Sequence, residues 1–403
     1  MLIAPSSYGA LSATSANTIQ GSRPGFTGQS GAKKLGFKVD GTTYSESLNN
    51  INPNITKEFN AGLKLSDFTV TSLTASDFSP TADYADADGD LAHPTTPFSM
   101  SPRTYVWKDR NGTTITNYNQ TLGCGSGLNL PLTLRITLPN VKVKSRYGNP
   151  SESLSTELVQ EYKIGTATGI CFAKPNQMNY YNGATPNPTE GGGYTSDFDP
   201  SNGFKVSANP KFPTTGFPKA SFTLIMTSNA NDYTFSSNSS AVTVDTTGKV
   251  TLNSKPSGAV TIKAIFKNDT NQVHYYTFNP TTVWVRPTGT SSYGNYAWAK
   301  TQCGGSESNI PSRAQLTNSP QKNAPQGWSY FANYYTRAVG GGVFGEWGYT
   351  SSGTYPGSQW TSSYGYYWTR DAWSASRQFL VRSYDGNVRY DYTGRSYYVA
   401  CLE

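Results

Sequence analysis

The side chains with the widest chemical repertoire here are a run of aspartates, four cysteines, two histidines and a C-terminal concentration of aromatic rings. In DYADADGDLA, Asp83, Asp86, Asp88 and Asp90 surround Gly89, and carboxylates at alternate positions beside a glycine turn supply the oxygen ligands that calcium takes. Asp86, Asp88 and Asp90 are therefore the candidate metal ligands. Counting back from Gly89 puts Tyr84 where an EF-hand loop needs its first acid, and no bidentate Glu follows, so an acidic surface turn is the competing reading. Acid–base and nucleophilic chemistry is poorly provided for. His93 precedes Pro94 in a loop, His274 sits in a strand-like run ending HYYTF, and no Ser or Cys stands beside a recognisable base. The chain is read as a non-enzyme with no required cofactor, calcium being the one ion its motifs admit.

Cys124, Cys171, Cys303 and Cys401 lack the short spacing of a zinc or redox site and read as structural disulfides. Pairing by module gives Cys124 with Cys171 and Cys303 with Cys401, loops whose closure removes about 4 and about 4.7 kcal/mol of unfolded-chain entropy. Such bonds persist outside a reducing cytosol. The remaining chemistry is recognition. Trp347, Trp360, Tyr364, Arg370, Asp371 and Trp373 lie among Gly and Ser residues, where rigid rings give contact area at low entropic cost, and they are the candidate ligand-binding residues. Trp298 and Trp368 are assigned to the core. Arg370 and Asp371 either contact the ligand rim or pair with each other.

The elements that must hold these groups are mostly strands. With 403 residues the chain needs two to four domains, and 13% aromatic against 14% charged residues, rich in Gly, Ser, Thr, Asn and Tyr, is a sheet-and-loop composition. The one stretch of helical spacing is Tyr296 to Leu316. No apolar run reaches the ~18 residues that cross a bilayer. The net charge of +7 is scattered, not gathered into a stripe, which argues against nucleic acid. Met1 leads into a Ser/Ala/Gly-rich segment without a signal-peptide pattern, so the chain is expected to be a piece of something longer.

Four segments follow from the patterning. Residues 1–30 are poor in apolar side chains and are expected to be a linker. Residues 31–205 alternate apolar and polar positions, as in Leu130, Leu132, Leu134, Ile136 and Leu138, and carry the hairpin signal Asp109-Arg110-Asn111-Gly112, which predicts a β-rich domain with one disulfide. Residues 206–288 repeat the pattern in KASFTLIMTS, SSAVTVDTTGKVTL and GAVTIKAIF. Residues 289–403 shift sharply in composition and hold most of the Trp.

Two of these segments resemble known families. SSNSSAVTVDTTGKVTL and GAVTIKA resemble the bacterial immunoglobulin-like repeats of the intimin and invasin adhesins. AWAKTQC, NIPSRAQL, YYWTRD, FLVRSYDGNV and YYVACL resemble, in order and spacing, the C-type-lectin-like cap at the tip of those adhesins. WKDRNG and the Cys124/Cys171 pair resemble a further enterobacterial adhesin repeat. The resemblance implies tandem β-sandwich (Ig-like) domains followed by a C-terminal C-type-lectin-like α+β domain. It also implies an extracellular, monomeric adhesin tip, anchored in the outer membrane through a region outside this chain, whose partner is a host-cell surface receptor. The calcium triplets of sugar-binding lectins, Glu-Pro-Asn or Gln-Pro-Asp with Trp-Asn-Asp, are missing, so the expected ligand is a protein. A calcium-independent glycan module and a stalk or self-association module in biofilm are the alternatives.

Overall fold

The computed structural model describes residues 21–289, 291–323 and 333–403. The chain folds as two compact units, one built from residues up to 59, 63–120 and 129–165, the other from 60–62, 121–128 and 166–403. Among the described residues no helix is long and apolar enough to cross a membrane.

The first unit is organised by the antiparallel pair Leu132–Val143 and Thr156–Gly165, with Thr104–Lys108 on the other side of the longer strand. Leu132, Leu134, Ile136 and Leu138 are buried while the residues between them are half-exposed, the period-two pattern read from the sequence. Pro139 and Asn140 interrupt this strand at a shift of register between Leu138 and Val141, with Asn140 at φ 56. Proline has no N–H to give a ladder and is tolerated at such a bulge. The hairpin turn forms where Asn-Gly placed it, with Gly112 at φ 84. Burial disfavours charge on Asp109, yet hydrogen bonds from Asn129 Nδ2 and from the N–H groups of Thr113 and Asn111 hold its carboxyl below the ordinary value. Phe37 knits a second, small sheet (Gly36–Val39, Thr42–Ser45, Thr69–Val70) to this one through rings 5.6 Å from those of Phe68 and Tyr162.

Two expected boundaries move. The presumed linker is structured from residue 21: Gly25–Phe26 pairs with Tyr84–Ala85, and the Phe26 ring lies 5.5 Å from Phe78. The Phe26 ring and hydrogen bonds from Ser22 to Asp88 and from Arg23 to the Glu152 carbonyl dock this polar segment. Residues 1–20 lie outside the described part. The β-rich domain ends at Gly165, not at 205, because Ile170–Pro175 pairs with Gly203–Lys205 and Ala220–Met226 in the second unit. The Cys124–Cys171 disulfide accordingly lies within the second unit, where residues 121–128 form an excursion of the chain.

In the second unit a six-stranded sheet runs from Phe198–Asp199 through Ile170–Pro175 and Ala220–Met226 to Val242–Val244. A three-stranded sheet of Tyr233–Ser237, Val260–Phe266 and Val273–Phe278 completes a sandwich. The C-terminal segment follows. Its helix Tyr296–Gln302 starts where the Asn295 side chain accepts the Trp298 N–H, and Cys303, at its end, is bonded to Cys401. The expected single helix to Leu316 is broken after this, since Gly304 and Gly305 take φ 74 and 83 and Pro311 follows. A second short helix, Arg313–Leu316, carries a Ser312/Gln315 capping box.

The sandwich and the C-terminal segment are not separate beads. The last strand, Ala400–Leu402, returns to pair with Val283–Pro287, which itself pairs with Thr215–Gly216. Phe212, Phe217 and Phe222 of the sandwich share one core with Phe344, Trp347, Tyr355 and Trp360 of the C-terminal segment. At its centre the fully buried Glu346 carboxylate accepts the N–H and hydroxyl of Thr214 (3.0 and 2.7 Å), the N–H and hydroxyl of Thr215 (2.9 and 2.7 Å) and the Gly340 N–H (2.8 Å). Burial pushes its pKa above the ordinary 4.5, although these hydrogen bonds pull the other way.

Three outcomes are expected. Glu346→Ala strands the buried N–H and hydroxyl donors of Thr214 and Thr215 and should lower the free energy of unfolding by at least about 3 kcal/mol in urea melts. A raised native pKa means that stability is fully present below 4.5 and is lost as pH rises through the raised value, so wild type should lose ground to Glu346→Gln over that interval. Residues 289–403 expressed alone should bind a hydrophobic dye and lack near-ultraviolet circular dichroism, since their half of the core has no partner; a native-like spectrum would contradict the shared core.

Candidate functional site

The six sequence candidates scatter. Trp347 and Trp360 have no exposed surface. Trp347 donates from Nε1 to the Thr215 carbonyl (3.1 Å) and packs on Phe212, Phe217 and Tyr355, while Trp360 packs on Phe217, Phe344 and Tyr367. Trp347 closes the short helix Gly342–Trp347 and Trp360 lies in a Gly/Ser-rich loop, and both rings turn inward because a core shared by two segments has room for its largest side chains. Neither is a surface contact. Trp368 is buried as expected, donating to the Gly294 carbonyl, and Trp298 is half-buried against the same small cluster. Asp371 pairs with Arg313, accepting its backbone N–H at 2.6 Å, whereas Arg370 donates to the Ser308 carbonyl, so the two do not pair with each other. Trp373 stacks on Tyr390 with centroids 4.1 Å apart.

The aspartate run does not converge either. Asp86 Oδ1 accepts the Asp88 N–H, Asp88 accepts the Ser22 N–H and hydroxyl, and the Asp90 carbonyl accepts the Tyr84 hydroxyl. Burial, with the Asp86 and Asp90 charges beside it, pushes the Tyr84 phenol up to about 12. Among the described residues no three His, Cys, Asp or Glu side chains gather as metal ligands. The Asp86 and Asp88 carboxylates are thus engaged by the turn's own backbone and by Ser22. His93 Nδ1 accepts the Thr96 N–H, and His274 Nε2 bonds to the Thr168 hydroxyl, with burial lowering its pKa.

Tyr364 is different: it is 59% exposed and belongs to a cluster. Its ring lies 6.3 Å from Tyr384, which lies 5.1 Å from Tyr349 and 5.6 Å from Tyr181; Tyr181 in turn stacks on Tyr334 at 5.2 Å. Tyr180, the neighbour of Tyr181 in sequence, is 38% exposed and packs on Tyr194, centroids 4.9 Å apart. Tyr181 comes from the sandwich and the other four from the C-terminal segment, so the cluster is assembled across the two. The Tyr181 hydroxyl donates to the Tyr384 carbonyl at 3.2 Å, and burial first, then its Tyr335, Tyr384 and Asp385 neighbours, raises its pKa and keeps it neutral.

Backbone geometry explains how loops hold these rings. Tyr384 sits in the turn between Arg377–Arg382 and Val388–Tyr392, where buried Asp385 accepts Arg382 Nε at 2.9 Å and the Asn387 N–H at 3.1 Å, and Gly386 takes φ 73. Tyr364 is tied to that turn through the Gly365 carbonyl, which accepts the Ser383 N–H. The 176–203 loop is sewn to the C-terminal segment by bridges Gly191↔Tyr334 and Tyr194↔Arg337. Arg337 is itself buried. Its guanidinium lies 4.7 Å over the Phe198 ring and donates to the Gln177 (2.7 Å), Asn179 and Glu346 carbonyls. Sequence reading missed Tyr181, Tyr334, Tyr349 and Tyr384. The Tyr180-Tyr181 pair, standing in a Pro/Gly/Asn-rich loop with no strand to bury it, was the available signal.

Residues 197–278 match the family described as Invasin, domain 4. Among solved structures the chain is similar to invasin, described as a bacterial integrin-binding protein, with 18% identity and a TM-score of 0.43 over 79% of this chain and 53% of that one. It is similar to the C-terminal 282-residue fragment of intimin in complex with the intimin-binding domain of the translocated intimin receptor (16% identity, TM-score 0.36, 79% and 92% coverage). It is also similar to Intimin-190 from enteropathogenic E. coli (18%, 0.30, 59% and 100%). The chain thus spans about half the length of the solved invasin. No curated protein matches the sequence significantly. Because the acidic turn is internally satisfied, adding millimolar calcium or a chelator should leave the melting midpoint unchanged within about 1 °C; a calcium-dependent rise would place an ion there.

Proposed function

We propose, from the premise that residues 197–278 form an invasin-type domain 4, that this chain is the ligand-binding end of a bacterial surface adhesin of the intimin/invasin type. The observation that carries this reading is the union of that domain, through one core, with a C-terminal domain that joins it in exposing a tyrosine cluster. A spacer repeat needs only its own core and a polar surface. Here large rings remain partly exposed at the boundary of two segments, which costs solubility and is understandable as a recognition surface. The proposed division is 21–165, of which residues 60–62 and 121–128 belong with the second unit, then 166–288 and 289–403. Two disulfides suit the oxidising exterior of the cell. Its partner is a receptor on a host cell, bound by a single copy, without catalysis.

The test is saturable binding of the fluorescently labelled full chain to cultured mammalian epithelial cells, competed by unlabelled chain. Binding should persist in chelator and vanish after reduction and unfolding. A linear, uncompetable signal on every cell type, or self-association of the chain at micromolar concentration in its place, would sink the reading in favour of a stalk.

A further inference from the structure

We propose that the receptor contact is the tyrosine cluster itself, Tyr181, Tyr334, Tyr349, Tyr364 and Tyr384, and that it takes a protein surface of low net charge, not a glycan; this rests on the adhesin reading above. Three observations carry it. First, the rings come from both segments, and their loops are pinned by buried groups, the Arg337 guanidinium on the Gln177 and Asn179 carbonyls and the Asp385 carboxylate in the Tyr384 turn. Binding then orders little that is not already ordered, the condition under which a tyrosine surface gives affinity.

Second, the rings present no flat platform. Around Tyr384 the interplanar angles are 55° to Tyr181, 61° to Tyr364 and 69° to Tyr349. The near-parallel pair, Tyr181 and Tyr334 at 20°, is stacked ring on ring, so each covers a face of the other. Stacking on a pyranose needs an open face, whereas rings tilted in several directions form walls and notches that fit protruding side chains. Third, the local charge is small. Arg382 and Asp385, which flank Tyr384 in sequence, are ion-paired, Asn182, Ser362 and Ser363 beside the other rings are neutral, and Glu190, which accepts from Asn182 Nδ2, adds a single carboxylate. Such a surface attracts no sulfated or sialylated chain, no nucleic acid and no anionic lipid by charge.

The experiment compares the full chain with the double variant Tyr364→Ala/Tyr384→Ala, with Ser363→Arg, which sets a long cation beside Tyr364 without touching the core, and with Tyr275→Ala, an exposed ring on the sandwich sheet, as control. The probe is the same cultured epithelial cells, untreated, trypsin-treated, or treated with glycosidases. Melting midpoints confirm that each variant is folded. Expected results are at least about tenfold weaker binding for the double variant and for Ser363→Arg, none for Tyr275→Ala. Binding should be lost after trypsin and kept after glycosidase, and should change by less than about twofold between about 0.1 and 0.5 M NaCl. Wild-type affinity in both patch variants would overturn this surface while leaving the adhesin reading standing. Loss after glycosidase, or a steep salt dependence, would overturn the neutral protein ligand. Failure of wild type to bind any cell would overturn the adhesin reading and this assignment with it.

Discussion

The Glu346 carboxylate is the constraint on which the second unit turns. A charged or chargeable group with no exposed surface is tolerated only if its oxygens are satisfied, and here Thr214, Thr215 and Gly340 satisfy them. Those partners come from the sandwich strand Thr215–Gly216, its approach, and the turn before the C-terminal helix Gly342–Trp347. The clamp therefore permits only one docking of the two segments. Trp347, the next residue, adds its indole N–H to the same Thr215. Around this polar knot the aromatic core closes, and the geometry of the tyrosine surface is inherited from it.

The division of aromatic labour follows from shape and polarity. Tryptophan and phenylalanine bring the most apolar area and are drawn inward: Trp347, Trp360 and Trp368 are wholly enclosed, and so are Phe212, Phe217 and Phe222. Tyrosine has a polar end that water can satisfy, so Tyr364 and Tyr384 remain outside with little penalty while Tyr335, Tyr355 and Tyr367 are buried beside them. The contrast explains why, among the aromatic candidates read from loop composition, Trp347 and Trp360 are enclosed while Tyr364 stays exposed.

Much of the fold was legible. Alternation at Leu132 to Leu138, the Asn-Gly turn at Gly112 and the strand run around Val260 to Phe266 are local signals, and each appears as read; the two cysteine pairs, 47 and 98 residues apart, also form as read. The boundary at residue 205 was misplaced because Ile170–Pro175 is an ordinary strand whose partners, Ala220–Met226 and Gly203–Lys205, lie further along the chain. The helix expected to Leu316 stopped at Gln302 because two glycines and a proline outweigh apolar spacing.

The sequence by itself determined the secondary-structure class, the strand faces and the match of residues 197–278 to invasin domain 4. These depend on period, turn chemistry and motif, which act within a few residues or survive as pattern. Tertiary structure alone decided that the sandwich and the C-terminal segment share a core, that Trp347 and Trp360 face inward, and that Tyr181 meets Tyr384 some two hundred positions away. Burial and surface assembly are properties of what packs on the far side of a residue, and that neighbour is not encoded in the residue's own spacing.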